Sequence, residues 1–263
     1  MRNITLIIIF SCFLWTLSAQ EMISGIINEY TAVTAIGDCN NSVTVSNPND
    51  FGIGNQVIII QIKGAEINSN DNADFGKITS FGNAGKYEKA VISAINGNEI
   101  EFEGTFVNEY TPSGKVQLVS MPVYENVEVI GELTAMPWNG TIGGILAFES
   151  TGTLTISENI TVVGLGFRGG ISETISPNNC SWLLNQNNYF YDANNWRGAQ
   201  KGEGIAEFIV GKEAGRGPQA NGGGGGNDHN SGGGGGSNVS GGGQGGENDE
   251  PSTFGCDLSL IHI

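Results

Sequence analysis

Between residues 42 and 120 the chain alternates apolar and polar positions over short stretches, a pattern typical of β-strands that are buried on one face. The β-branched run at 57–60 predicts a buried strand. Residues 87–92 and 95–102 predict a hairpin, because the Asn-Gly pair within the second segment suits a turn that needs a positive φ. The pattern therefore predicts a small β domain.

Beyond residue 124 the apolar stretches become shorter and are separated by turns that contain glycine. They recur at 127–130, 145–148, 152–156 and 160–163. This spacing resembles the rungs of a solenoid, in which each coil buries its inward side chains against its neighbours. We expect a parallel β-helix or a related stack of strands. A β-sandwich with short strands is the alternative that the pattern leaves open.

Residues 222–246 form a glycine tract that reads as three ten-residue units. Five consecutive glycines bury no side chains and lose much conformational freedom when they become ordered, which is typical of a flexible linker. The regular ten-residue spacing favours a different structure, in which extended backbones stack at a fixed step. We therefore expect an ordered array that docks on the solenoid.

Together these patterns predict an all-β protein, with a small β-barrel-like domain followed by a β-helix or solenoid-like stack that carries a polyglycine array. The expected boundaries are a signal peptide at 1–19, the small β domain at 20–124, the solenoid-like domain at 125–220, the glycine-rich repeats at 221–250 and a truncated end with an adaptor-like tail at 251–263.

The first 19 residues have the order of a secretory signal peptide. Arg2 precedes an apolar run at 4–17, and Ala19 offers a small residue at the cleavage site. The run is shorter than the roughly 20 residues of a membrane-spanning helix, and no later stretch approaches that length. We expect a secreted or cell-surface protein with no membrane span after cleavage.

The chain is strongly acidic, with 11 Lys and Arg residues against 27 Asp and Glu residues and a net charge of −16. Loss of Arg2 with the signal peptide would make the net charge −17. Such a balance repels a phosphate backbone, so nucleic acid is excluded as an expected partner.

Three cysteines follow the predicted cleavage site, namely Cys39, Cys180 and Cys256. An odd number in an oxidising compartment indicates a missing partner, a free thiol or an incomplete chain. Residues 258–263 look like the translation of a sequencing-library adaptor, so we expect the natural chain to continue past about Cys256. We predict a disulfide between Cys39 and Cys180, worth roughly 4–5 kcal/mol by loop closure. Two reduced thiols, or pairing with a cysteine beyond the break, are the alternatives.

Several aromatic residues are candidates for stacking on sugar rings, because a large ring offers an apolar face and a polar edge. Core packing is the favoured interpretation, and ligand stacking is the alternative. The candidates are Trp138, Trp182, Tyr189, Tyr191 and Trp196.

The sequence gives little support for catalysis, a cofactor or a metal. His229 is the only histidine outside the adaptor-like end, and it lies in the glycine tract, where a catalytic triad would have to form at a flexible loop tip. Residues 164–169 match a dinucleotide-binding glycine pattern by letters, but no helix is predicted after them. The loop at 68–74 is rich in Asn and Asp but lacks the glycine and glutamate of an EF-hand. We expect no cofactor, no metal and no enzyme.

Six short segments precede the glycine tract in a fixed order, at 61–65, 84–88, 116–119, 137–144, 166–170 and 201–206. As an ordered set they resemble the N-terminal region of large adhesin-like surface proteins of gliding bacteria. In that family the distal chain commonly carries repeats and a gliding-motility-associated C-terminal sorting domain for type IX secretion. The resemblance therefore implies export by that route.

These observations favour a non-enzymatic secreted or cell-surface protein, with this chain as the stalk or presenting base of a larger adhesin-like protein. A surface glycan or a protein receptor is the expected partner. The alternative is a secreted carbohydrate-binding module or a polysaccharide-active enzyme, whose site would lie in a β-helix groove or downstream of the truncation. Exposed aromatic residues in a groove beside two facing carboxylates would favour this alternative.

Overall fold

The structure is a computed structural model that describes residues 20–172, 188–227, 232–237 and 245. Within these residues the protein is all-β, as predicted, and its one helical element is a 3-10 turn at Pro112–Gly114. The strands in chain order are β1 (Glu21–Ile26), β2 (Tyr30–Ile36), β3 (Ser42–Val45), β4 (Gln56–Gln61), β5 (Glu66–Ile67), β6 (Ile78–Ser80), β7 (Tyr87–Asn96), β8 (Glu99–Phe102), β9 (Val116–Ser120), β10 (Val123–Tyr124), β11 (Val127–Thr134), β12 (Glu149–Ser150) and β13 (Leu154–Ile156). The predicted signal peptide lies outside the described residues.

Six antiparallel strands close into a barrel in the order β2-β3-β8-β7-β4-β9. The alternation along β4 explains which face turns inward, since Val57 and Ile59 are fully buried while Gln56, Ile58 and Ile60, which alternate with them, are only partly buried. Gly97 turns the β7–β8 hairpin with a φ of 60°, as its Asn-Gly pair predicts. The small β-barrel predicted from the sequence is confirmed.

A second body is built from parallel strands, in a three-stranded sheet β1-β11-β13 and a two-stranded sheet β10-β12. Val127 pairs with Leu154 and Leu133 with Ile160, so one coil takes 27 residues at both places. Parallel pairing at a constant step is the geometry of a solenoid, and the predicted stack is confirmed. The stretch at 145–148, expected as a strand, has no ladder of its own and leads into β12 instead.

Strand β1 lies within the range 20–124 that the sequence assigned to the small β domain, yet it belongs to the stack. Glu21 pairs with Val127 and Ile23 with Val129, across the whole length of the barrel sequence. Ile23 is buried there in one apolar cluster with Val127, Val129 and Leu133. The barrel is therefore inserted into a coil of the solenoid, which the chain leaves after β1 and re-enters at β10.

Strand β9 joins the two bodies because both of its faces are buried. Val116 and Leu118 belong to the barrel core, while Gln117 lies on the opposite face and is fully buried. Its side-chain amide donates to the carbonyl of Gly143 at 3.1 Å and accepts from the Gly143 amide at 2.8 Å. Nearby, the Tyr30 hydroxyl donates to the carbonyl of Ile145. These bonds fix the barrel against the coil.

Candidate functional site

The glycine-rich part of the chain is an ordered packing of extended segments, which we call the glycine array and define by residues 198–206, 213–219, 221–227 and 232–237. The Gly225 amide donates to the Gly215 carbonyl and the Gly234 amide to the Gly224 carbonyl, each at 2.9 Å. Both bonds span ten residues, the repeat length read from the sequence. Residues 221–227 pack on residues 198–219, and residues 232–237 pack on 221–227, so neither segment docks directly on the parallel strands. That the whole tract is ordered stays a prediction.

Successive glycines of the central segment face different neighbours, and a Cβ atom placed on any of them would overlap the backbone in front of it. Gly222 faces Gly202 and Glu203, Gly223 faces Gly234, Gly224 faces Arg216, and Gly225 faces Ala199. Positions three residues apart thus face the same segment. A repeat of three residues is that of the polyproline II helix, and where such helices pack closely, as at the axis of collagen, only glycine fits.

A buried lysine ties the array together. The Lys201 ammonium donates to the carbonyl oxygens of Tyr189, Gly215 and Gly217 at 2.7, 2.9 and 2.5 Å, and it lies 4.7 Å from the centre of the Phe75 ring. Burial lowers the pKa of Lys201 to about 7, although the negative charge of Asp71 acts in the other direction and raises it. The side chain replaces water as the hydrogen-bond donor for these three backbone carbonyls.

A second buried charge, Glu203, lies where the barrel, the stack and the array meet. Its carboxylate accepts hydrogen bonds from the Trp138 indole at 3.0 Å and from the Arg168 guanidinium at 2.7 and 3.1 Å. The ammonium of Lys63, which follows β4, lies 3.7 Å away. Burial alone would raise the pKa of Glu203, but the hydrogen bonds from Arg168 and the charges of Lys63 and Arg168 outweigh it and lower the pKa to about 2. Glu203 therefore stays ionised and links all three parts.

A shallow groove of about 610 Å³ runs between the loop after β5 and the array. Its lining includes the rings of Phe75 and Tyr189 and the cations Lys77 and Arg216. The Arg216 guanidinium lies 4.2 Å from the centre of the Tyr189 ring, so these two groups form one stacked wall. Gly76 shapes the floor, since its φ of 80° and its contact with the Pro218 carbonyl leave no space for a side chain.

Two of the five aromatic candidates are core residues. Trp138 is 5% exposed and packs edge-on against Phe167, with its indole N–H bonded to Glu203. Tyr191 is buried against the array, where its backbone pairs with Ala214. Sugar stacking on these two rings is therefore wrong, because a buried ring has no face free for a ligand.

The other aromatic candidates have different outcomes. Tyr189 and Trp196 are partly exposed, and each ring is stacked by an arginine, with Arg197 4.4 Å from the centre of the Trp196 ring. Only Tyr189 lines the groove. Trp182 lies outside the described residues. Stacking of a ligand on Tyr189 or Trp196 stays a prediction.

One cysteine of the predicted disulfide lies within the described residues and the other does not. Cys39 is exposed in the turn between β2 and β3. Cys180, Cys256 and His229 lie outside the described residues, as does the adaptor-like tail at 251–263. The pairing of Cys39 with Cys180 stays a prediction.

The oxygen-rich loop at 68–74 uses its side chains within the protein. Asn68 and Asn72 accept hydrogen bonds from backbone amides of their own loop, and Asp71 accepts one from the amide of Tyr189. In the part of the chain that the structure describes, no three acidic, His or Cys side chains gather as metal ligands would. The same residues form no helix long and apolar enough to cross a membrane.

Sequence reasoning missed Lys201 and Glu203 as buried charges, although both lie in one of the segments that carry the resemblance. The available signal was their position, since the stretch 201–204 alternates a charged residue with a glycine beside a glycine tract. Backbones that pack without side chains leave polar groups to satisfy, and a charged side chain nearby is the natural partner.

No family model matches the chain, and the comparison with curated proteins gives no match. Among solved structures, the chain is similar to the Gp54 tailspike of Acinetobacter baumannii bacteriophage AP22, solved in complex with A. baumannii capsular saccharide. The identity is 12%, the TM-score is 0.27, and the match covers 51% of this chain and 21% of the tailspike chain. This similarity is too low to support an argument about fold or function.

Proposed function

We propose that the chain is a non-enzymatic secreted or cell-surface protein, and that it forms the rigid presenting base of a larger adhesin-like protein. The observation that carries the proposal is the packing of Gly222–Gly225, each of which has another backbone where a Cβ atom would stand. Ordering glycine costs about 1–2 kcal/mol per residue in backbone entropy. Contacts that offset this cost make the array rigid, and glycine supplies no reactive side chain.

The contacts of the array support a mechanical role. Lys201 fixes the array internally, and Glu203 bonds it to Trp138 of the stack and approaches Lys63 of the barrel. A force applied to the array would therefore pass to both other bodies. The resemblance to the N-terminal region of adhesin-like surface proteins of gliding bacteria supports the same role, and export by type IX secretion is part of this proposal.

Three measurements test the proposal, two on the producing cells and one in solution. Antibodies raised against the purified protein should label intact cells, and the purified protein should release no reducing sugar from polysaccharides. Cells that produce the Gly225→Ala variant should adhere less than cells that produce Gly169→Ala, because only Gly225 has backbone in the path of a Cβ atom. Labelling only after cell lysis, or sugar release, would contradict the proposal.

Saccharide binding is the second candidate function, and the groove of about 610 Å³ is the observation that favours it. Among the residues that line this groove, the charged ones are the cations Lys77 and Arg216. A glycosidase uses a pair of carboxylates, so this lining suits binding of an acidic sugar rather than hydrolysis.

A glycan array tests this second function. The wild type should retain acidic glycans, and Tyr189→Ala should lose them because the stacked wall of the groove is removed. Tyr87→Ala serves as the matched control, since Tyr87 is an exposed tyrosine on the barrel. Equal retention by both variants, or none by the wild type, would count against the groove.

A further inference from the structure

The ammonium of Lys201 lies directly behind the groove between the loop after β5 and the array. It donates to the carbonyls of Tyr189, Gly215 and Gly217 at 2.7, 2.9 and 2.5 Å. The centre of the Phe75 ring lies 4.7 Å from it. Of these neighbours, Tyr189, Gly217 and Phe75 line the groove. The buried charge therefore contacts the groove's own wall and floor from the side that faces away from solvent.

The groups that Lys201 contacts are also packed tightly on one another. The Tyr189 carbonyl accepts a second hydrogen bond from the Gly217 amide at 2.9 Å, and the Tyr189 amide donates to Asp71 at 2.6 Å. A Cβ atom on Gly217 would lie 2.5 Å from the Phe75 ring. An ammonium has three N–H donors for the three carbonyls, whereas a neutral amine has two. The protonation of Lys201 thus decides whether every carbonyl of this wall is bonded.

Lys201 is also a positive charge that solvent screens weakly, because the residue is 1% exposed. Burial holds its pKa at about 7, although Asp71 raises it. An acidic group bound in the groove would stabilise the charged form of Lys201 and so raise this pKa further. Because such coupling is reciprocal, protonation of Lys201 would in turn strengthen the binding of the acidic group.

Other charged side chains lie on the segments that pack around Lys201 and the groove. They are Asp71, Asp74 and Lys77 of the loop after β5, and Lys212, Glu213 and Arg216 of the segment before the glycine tract. Carboxylate, ammonium and guanidinium groups ordinarily keep their charge between pH 6 and pH 9. Among the described residues, Lys201 is therefore the group to which a change of binding in this pH range is assigned.

We propose that Lys201 is the positioning residue of the groove and that it couples the binding of an acidic saccharide there to the uptake of a proton. This inference rests on saccharide binding in the groove, the second function proposed above. At pH values below about 7 Lys201 is already charged, so the affinity is highest there. As the pH rises above 7, the free protein must take up a proton to bind, and the affinity falls.

Titration calorimetry with an oligosaccharide of galacturonic acid measures the coupling. Both histidines of the chain, His229 and His262, are replaced by asparagine in every protein tested, because histidine also titrates in this range. At pH 7.5 the heats in phosphate and in Tris should differ by the uptake of a fraction of one proton. The affinity should be several-fold weaker at pH 9 than at pH 6. Binding without proton uptake would overturn this inference alone, and no binding at any pH would overturn it together with the saccharide function.

Lys201→Met assigns the coupling to this side chain. The variant should bind more weakly at pH 6, and its affinity should not change between pH 6 and pH 9. Lys212→Met is the matched control, because Lys212 also donates to a backbone carbonyl, that of Ser69 at 2.6 Å, and lies 4.4 Å from the centre of the Phe190 ring. Neither Ser69 nor Phe190 lines the groove, so this variant should keep the original pH profile.

A Lys201→Met variant that keeps the pH profile, or a Lys212→Met variant that loses it, would overturn the assignment to Lys201. Circular dichroism shows whether each variant is folded. If Lys201→Met does not fold, the proton uptake of the protein that retains Lys201 decides the question, because that measurement needs no change at this position.

Discussion

Glu203 shows how much a single ionised side chain contributes where three parts of the molecule meet. Its side chain is 6% exposed, but its partner Arg168 is 57% exposed, so solvent screens part of their attraction. The pKa of about 2 lies below the ordinary value of 4.5. The contribution of Glu203 to stability is therefore complete above about pH 4.5 and is lost as the pH falls towards 2.

We predict that acid destabilises the wild type by about 1–2 kcal/mol more than it destabilises Glu203→Gln between pH 6 and pH 3. Urea unfolding of both proteins at the two pH values measures this difference, and the comparison cancels the other carboxylates. Identical pH dependence of the two proteins would show that Glu203 is not held ionised by its partners.

Lys201 gives the second prediction at this scale. Lys201→Met removes the donor of three carbonyls and should reduce the free energy of unfolding by about 2–4 kcal/mol. Lys77→Met is the matched control, because Lys77 is 70% exposed and forms its ion pair with nearby Asp74, and it should change stability by less than about 0.5 kcal/mol. Chemical unfolding measures both, and similar losses would contradict the role given to Lys201.

Lys201 also makes the stability depend on pH. Its pKa in the folded protein, about 7, is below the ordinary value of 10.5, so the unfolded chain binds more protons between these values. The wild type should therefore gain stability from this group as the pH rises from 7 to 10. Lys201→Met should lack that gain when the two are compared by urea unfolding.

At the scale of elements, the array depends on the absence of side chains at particular positions. Gly225→Ala would place a methyl group against the Ala199 carbonyl and should destabilise the protein by about 2–3 kcal/mol. At Gly169 nothing lies within 4 Å of the added atom, so Gly169→Ala should be close to neutral. Thermal unfolding distinguishes the two, and a neutral Gly225→Ala would mean that the array is loosely packed.

The elements also show what the sequence can predict and why. Strand β4 and the β7–β8 hairpin follow from local alternation and from the Asn-Gly turn, and each depends on neighbours in the chain. The pairing of β1 with β11 depends on contacts across the whole inserted barrel, which no local pattern encodes. For the same reason the ten-residue step was visible in the sequence, but the burial of Lys201 and Glu203 was not.

At the scale of the whole molecule, the barrel, the stack and the array are held by bonds that cross between them. Gln117 bonds the barrel to the coil through Gly143, and Glu203 bonds the array to Trp138 of the coil. Two further contacts join the barrel to the array, since the amides of Gly64 and Ala65 both donate to the Ile205 carbonyl. If the chain is a rigid base, the array should separate from the barrel and the stack only when these contacts are broken.

Amide hydrogen exchange of the glycine array tests this central claim most directly. The Gly225 and Gly234 amides are bonded to other segments of the array at 2.9 Å, and Gly222–Gly223 and Gly225–Gly226 are buried. We predict that peptides covering 221–227 exchange as slowly as the β4 and β9 strands of the barrel. Exchange at the rate of an unfolded chain throughout this segment would contradict the account and would make the tract a linker.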